Sequence, residues 1–241
     1  SRDSASISRR VQHPSPILHS VPDMVDYAAA RQNMIEAQLR ANGVTDPAIV
    51  AAFAAVPREL FVPKSRRSIA YVDEDLPLKP GRWLIEPMVL GKLTRLAEIG
   101  PDDLVLDIGA CTGYAAAVLS RLCAAVVAVE SDPELASEAS RLLSQGTADN
   151  AVVVQQPLEQ GHAKQAPYDV ILIEGAVEEI PEALMAQLAE GGRLVAVVRP
   201  PGGVGRGTLF RRERGIVSSR PDFDAATPAL PGFAKRPGFV F

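Results

Sequence analysis

Residues 104–130 read LVLDIGACTGYAAAVLSRLCAAVVAVE, and this stretch decides the fold. Leu104–Ile108 is a short apolar run, bounded by Pro101-Asp102-Asp103 before it and Gly109 after it, which is the pattern of a buried strand. Gly109-Ala110-Cys111-Thr112-Gly113 follows as a glycine turn, and Tyr114 to Cys123 then places Ala and Leu at helical spacing. Ala125 to Glu130 is a second buried strand that ends in an acid. This order sets the free N–H groups of a helix start against a ligand. Glu130 lies 21 positions after Gly109, where an acid accepts hydrogen bonds from ribose hydroxyls. The turn keeps only one glycine pair, and a strand-to-helix turn without a ligand would read the same. Turn, order and Glu130 together favour a nucleotide-like ligand.

The alternation continues outward. Asp132-Pro133 opens a helix to about Leu143, Ala151 to Gln155 is a third strand, and Tyr168 to Glu174 a fourth. Pro181 to Ala189 reads as a helix closed by Gly191-Gly192, and Arg193 to Val198 as a fifth strand. Strands alternating with helices predict a mostly parallel, doubly wound α/β sheet. After Pro200 the pattern is strand-only: Thr208 to Arg212 and Ile216 to Ser219 form an antiparallel hairpin around Arg214-Gly215, and Gly238 to Phe241 reads as a last strand. Upstream, Tyr27, Met34, Ile35, Gln38 and Leu39 mark a helical face that Asn42-Gly43 ends. Thr45-Asp46-Pro47 opens an Ala-rich helix to about Val56, residues 57–63 make a helical turn, 71–81 an irregular connection, and Pro87 opens a helix to about Glu98.

Residues 1–23 hold Ser, Arg and Pro without an apolar period and read as a leader or tag, poorly packed, with Arg2, Arg9 and Arg10 the only hint of targeting. Residues 24–241 read as one domain: a helical segment 24–86, a Rossmann-like core 87–200 and a hairpin region 201–241.

Hydrophobic residues make up 47% of the 241 and charged ones 22%, which excludes wholesale disorder. A net charge of −4 gives no nucleic-acid footprint, and no apolar stretch approaches the length of a membrane span. Two cysteines, Cys111 and Cys123, make no disulfide framework, which points to a reducing, cytoplasmic setting. Three histidines, His13, His19 and His162, make a His/Cys metal site improbable, so no metal is expected. Gly202 to Gly207 lacks G-K-[ST] and reads as a hairpin entry, Arg211, Arg212 and Arg214 read as a solvated basic face, and no G-x-S-x-G elbow occurs. Cys111 at a helix start is a candidate reactive thiol, but no His lies near it in sequence, and a filler role weighs more.

These residues resemble the protein-L-isoaspartate O-methyltransferase family. Residues 24–63, MVDYAAARQNMIEAQLRANGVTDPAIVAAFAAVPRELFVP, are similar to that family's N-terminal segment, including Arg31-x-x-Met34, Gly43-Val44 and V-P-R-x-x-F-V-P. Residues 105–122 resemble its cofactor motif, and Gly191 to Val195 the strand that closes its sheet. The resemblance implies the seven-stranded Rossmann-like methyltransferase fold, S-adenosylmethionine as cofactor, and a protein or peptide substrate carrying L-isoaspartate.

It also implies roles. Asp107, Gly109, Ala110, Cys111, Gly113 and Tyr114 would shape the loop around the donor's amino acid, Glu130 would take the ribose, and Ser131 and Leu158 would flank the adenine. Trp83, Ile85, Glu86 and Pro87 would line the acceptor side, and Glu174 would face the sulfonium or the acceptor, unless it is simply a solvated strand end. No catalytic acid or base is assigned, because an ionised carboxylate acceptor needs none; positioning and electrostatics suffice.

Four places depart from the family pattern. Cys111 replaces the middle glycine, Ile85 the serine that helps hold the isoaspartyl carboxylate, Gln156-Pro157-Leu158 a G-D-G, and Glu174-Gly175-Ala176 a T-A-A. They leave open an alternative: a non-catalytic relative, or one with a switched acceptor. The oligomeric state is left open as well.

Overall fold

A computed structural model describes residues 25–146 and 148–234; the leader 1–23 and the strand expected at 238–241 lie outside the described residues. Five parallel strands carry the sheet: β3 (Leu104–Ile108), β4 (Ala125–Glu130), β5 (Ala151–Gln155), β6 (Tyr168–Val177) and β7 (Leu188–Val198). The antiparallel β8 (Arg206–Glu213) and β9 (Ile216–Asp224) extend it, in the order β5-β4-β3-β6-β7-β8-β9. Strand order reverses at β3, which pairs with β4 on one side and β6 on the other. A crevice at the carboxyl ends of such strands is where open α/β sheets bind ligands.

The apolar runs are unbroken because both faces are covered. Val105, Val126, Ala128, Val170 and Leu172 enter one core cluster, and the alternate residues Leu106, Val127, Val129, Ile171 and Ile173 enter the other. The first cluster takes in residues of α2 (Pro47–Ala55), α3 (Pro87–Ala97), α4 (Tyr114–Leu119) and α5 (Pro133–Ser144). The second holds little helix. Leu184 of the short α6 (Glu182–Met185) joins Leu158, Leu230 and Phe233 there.

The start signals act as the sequence implies. Asp46 accepts the Ala48 and Ile49 N–H groups ahead of Pro47, and Asp132 accepts those of Glu134 and Leu135 ahead of Pro133. The first helix, α1 (Tyr27–Met34), is capped by Asp26 and runs on through a wider turn at Ile35–Leu39 to Gly43, whose φ is +82°.

Four boundaries need correction. Residues 71–81 are not wholly irregular: β1 (Leu76–Lys79) and β2 (Arg82–Leu84) form an antiparallel ribbon turning at Pro80-Gly81, too short to show a period of two. The helix expected to Cys123 stops at Leu119, where the Asn150 side chain donates to the carbonyls of Ser120, Cys123 and Ala124. The helix expected over 181–189 is only Glu182–Met185, because Leu188 already pairs with Tyr168 as β7. Strand β6 runs past Glu174 to Val177, because after an irregularity Ala176 and Val177 pair again with Val197 and Val198 of β7.

Candidate active site

The glycine turn is pinned to the neighbouring strand. The Gly109 and Ala110 N–H groups both donate to the Val129 carbonyl, at 2.9 and 3.1 Å, and Gly113 N–H donates to the Ala110 carbonyl at 2.7 Å. Gly109 and Gly113 have φ of +87° and +92°, where only glycine sits without strain. Cys111 sits between them at φ +50°, a left-handed conformation that costs a side-chain-bearing residue roughly 1–2 kcal/mol. Its thiol donates to the Trp83 carbonyl at 3.2 Å. It is fully buried, and burial pushes the thiol well above its ordinary pKa, so it is no reactive nucleophile.

Glu130, at the end of β4, is fully buried and receives the Cys111 N–H at 2.8 Å and the Asp132 N–H at 2.9 Å. Arg82 of β2 also reaches it, through Nε at 3.3 Å and through Nη2. Burial opposes the charge on Arg82, but the ion pair with the Glu130 carboxylate holds the guanidinium protonated.

Two further acids lie beneath the turn. Asp107 of β3 is fully buried, and Glu174 of β6 is 2% exposed, so Glu174 is not a solvated strand end. Asp107 is in register with Leu172, and Glu174, two residues on, lies on the same face. With both acids ionised neither can donate, and none of their four oxygens has a hydrogen-bond partner among the described residues. Burial, then their mutual repulsion, raises Glu174; Asp107 is raised by burial and by Glu130, and once one acid is protonated the pair shares that proton.

The remaining candidates divide. Ser131 is exposed and Leu158 buried, and both border a groove of about 480 Å³ with Gln156 and Pro231. Ala110 and Tyr114 are fully buried, so they shape the turn from behind. Trp83 and Glu86 are half-buried, and Pro87 opens α3. Ile85 is 1% exposed and belongs to the core, so it presents no surface to an acceptor. On the basic hairpin face, Arg211 pairs with the exposed Glu98 at 2.8 Å, Arg212 donates to the Met185 carbonyl at 2.6 Å, and Arg214 is exposed.

Sequence reasoning missed Arg82, Arg58 and Leu230. Arg58 is fully buried, lies 4.7 Å over the Tyr114 ring and donates to the carbonyls of Ala70 at 2.8 Å and Ile85 at 2.9 Å, which holds the 82–87 loop. The local signal for Arg82 was weak: it is one of two cations, with Lys79, in the otherwise apolar ribbon LPLKPGRWLI.

The family profile described as Protein-L-isoaspartate(D-aspartate) O-methyltransferase matches residues 29–220. The chain belongs to this family. A protein-L-isoaspartate O-methyltransferase of Methanoculleus marisnigri is 42% identical over 170 residues, 70% of this chain and 77% of that one. One from Methylorubrum extorquens is 42% identical over 199 residues, 81% and 85% of the two chains. A solved protein-L-isoaspartate O-methyltransferase superposes with a TM-score of 0.73 at 26% identity, over 84% of this chain and 66% of that one. A Plasmodium falciparum structure titled as a putative family member in complex with S-adenosyl-L-homocysteine has a TM-score of 0.69 at 17% identity, over 85% and 97%, and shares the fold.

In this family member the 82–87 loop carries its own titration. Burial first, then Asp75 and Asp73, push Glu86 from its ordinary value up to about 7. A raised carboxyl lends stability that is complete below its unfolded value near 4.5 and is lost as pH rises through about 7. Glu86→Gln should therefore melt higher than the parent chain at pH 8 and gain little at pH 5. Equal differences in melting temperature at the two pH values would refute this.

Proposed function

We propose that the chain transfers a methyl group from S-adenosylmethionine to the carboxylate of an L-isoaspartyl residue in a protein or peptide. The observation that carries this beyond family membership is the acid cluster at the switch point: Asp107 and Glu174 are buried acids whose ionised forms find no donor among the described residues, and S-adenosylmethionine brings two cations, a sulfonium and an ammonium. The residues present fit that group. The donor, when bound, supplies the activated methyl and its own leaving group.

The chain's part is placement. Asp107, with the Gly109–Gly113 turn, would hold the donor's amino-acid end; Glu130 would take ribose hydroxyls; Ser131 and Leu158 would flank the base. Glu174 would sit toward the sulfonium, where a carboxylate favours cation binding. Trp83 and Glu86 would line the acceptor approach, with the buried Ile85 and Pro87 behind them as packing. An isoaspartyl carboxylate is already ionised at neutral pH, so no residue has to remove a proton; holding the acceptor in line accounts for the catalysis. We place the work in the cytoplasm, in keeping with two unbridged cysteines, and read residues 24–241 as one domain. The alternative of a lost or switched activity gains no support from the relatives, which carry the same activity in their names.

The test is methyl transfer from labelled S-adenosylmethionine to an isoaspartyl peptide and to its normal aspartyl twin. Transfer to the isoaspartyl peptide alone is expected. Equal labelling of both, or labelling of neither by a protein that binds S-adenosylhomocysteine, would sink the proposed acceptor.

A further inference from the structure

A glycine in a cofactor turn leaves its open face for close approach by a ligand. Here that face is filled from within. A Cβ on Gly109 would stand 3.2 Å from Cδ1 of Leu230 and 3.6 Å from Nη2 of Arg82. A Cβ on Gly175 would stand 2.9 Å from the Cβ of Leu230, so the missing side chain at that position makes room for the same leucine.

Leu230 is carried by residues 228–233, which lie along the end of β6. Ala176 N–H donates to the Pro228 carbonyl and Leu230 N–H to the Ala176 carbonyl, both at 2.8 Å, and Glu178 N–H donates to the Phe233 carbonyl at 3.4 Å. Leu230 is 5% exposed and Phe233 3%, both seated in the second core cluster. Beside them Arg82 covers the carboxylate of Glu130. Apolar bulk and positive charge, the two properties of a sulfonium donor, are thus both supplied by the chain itself. The family profile ends at residue 220, so this strap lies beyond the part matched to it.

We propose that residues 228–233 and Arg82 form an intramolecular stopper of the donor site. Donor entry then requires Leu230 to leave the glycine turn and Arg82 to release Glu130. The proposal rests on the donor-site reading above. A site that is open only part of the time binds with an affinity reduced by the open fraction, so loosening the strap tightens binding.

Two measurements test it, with S-adenosylhomocysteine as the probe. In calorimetry, Leu230→Ala should bind about tenfold more tightly than the parent chain. In hydrogen exchange on the unmodified chain, saturating probe should speed exchange of the Leu230 and Ala176 amides while slowing that of the Cys111 amide. The exchange measurement needs no variant, so it holds even if Leu230→Ala folds poorly. Slower exchange at Leu230 and Ala176, or weaker binding by a folded Leu230→Ala, would make the strap a wall of the site and overturn the proposal. Binding by neither form at millimolar probe, with both folded, would overturn the donor-site reading and the stopper with it.

Discussion

Glu130→Gln should lower stability by about 3–5 kcal/mol, because it removes one partner of a buried ion pair and leaves the other uncompensated. Glu130 is fully buried and gathers five donors: Nε and Nη2 of Arg82, the N–H groups of Cys111 and Asp132, and more distantly the Ser131 hydroxyl at 3.5 Å. The amide keeps one acceptor oxygen but turns its NH2 toward donors, and Arg82, itself only 5% exposed, keeps its charge. The same change should weaken S-adenosylhomocysteine binding by roughly a hundredfold, the size expected for losing two charge-assisted hydrogen bonds to ribose. Urea denaturation and calorimetry read the two effects separately. A variant within about 1 kcal/mol of the parent would mean that Arg82 turns to Asp107 and Glu174 instead, and that the Glu130 pair is replaceable.

Arg58→Met should cost about 2–4 kcal/mol and, separately, raise KM for an isoaspartyl peptide more than it lowers kcat. Methionine fills much of the volume but leaves the carbonyls of Ala70 and Ile85 without a donor, each worth about 1–3 kcal/mol when buried. The stacking on Tyr114 is lost as well. Because Arg58 holds the backbone of the 82–87 loop rather than touching reacting atoms, the kinetic effect belongs on acceptor binding. Unchanged KM in a variant that is destabilised as expected would show that the loop keeps its place without Arg58.

The sheet was legible because each parallel strand is an apolar run with its own turn signals, and the helix starts because Asp-Pro pairs act within three residues. The Gly109–Gly113 turn and Glu130 were legible for the same reason: strand, turn, helix and strand are contiguous. The helix ends were less so. Where α4 stops depends on Asn150, 30 residues from Ser120, and where β6 ends depends on its pairing with Val197 and Val198. Ile85, which the family pattern places at the acceptor, packs into the core just past the end of β2, where Arg58 holds its carbonyl.

What the sequence determined by itself is therefore local: a parallel sheet with a glycine turn at its switch point, capped helices, and an acid at the end of β4. Those features come from backbone conformation and hydrogen bonds between near neighbours, which residue type alone specifies. The tertiary structure decided which charges and side chains meet at that turn. Arg82 reaches Glu130 from 48 positions away, Glu174 faces Asp107 across two strands, and Leu230 lies on Gly109 from the far end of the described chain. Such meetings depend on the register of the sheet and on which core the strap fills, and no short-range pattern records either.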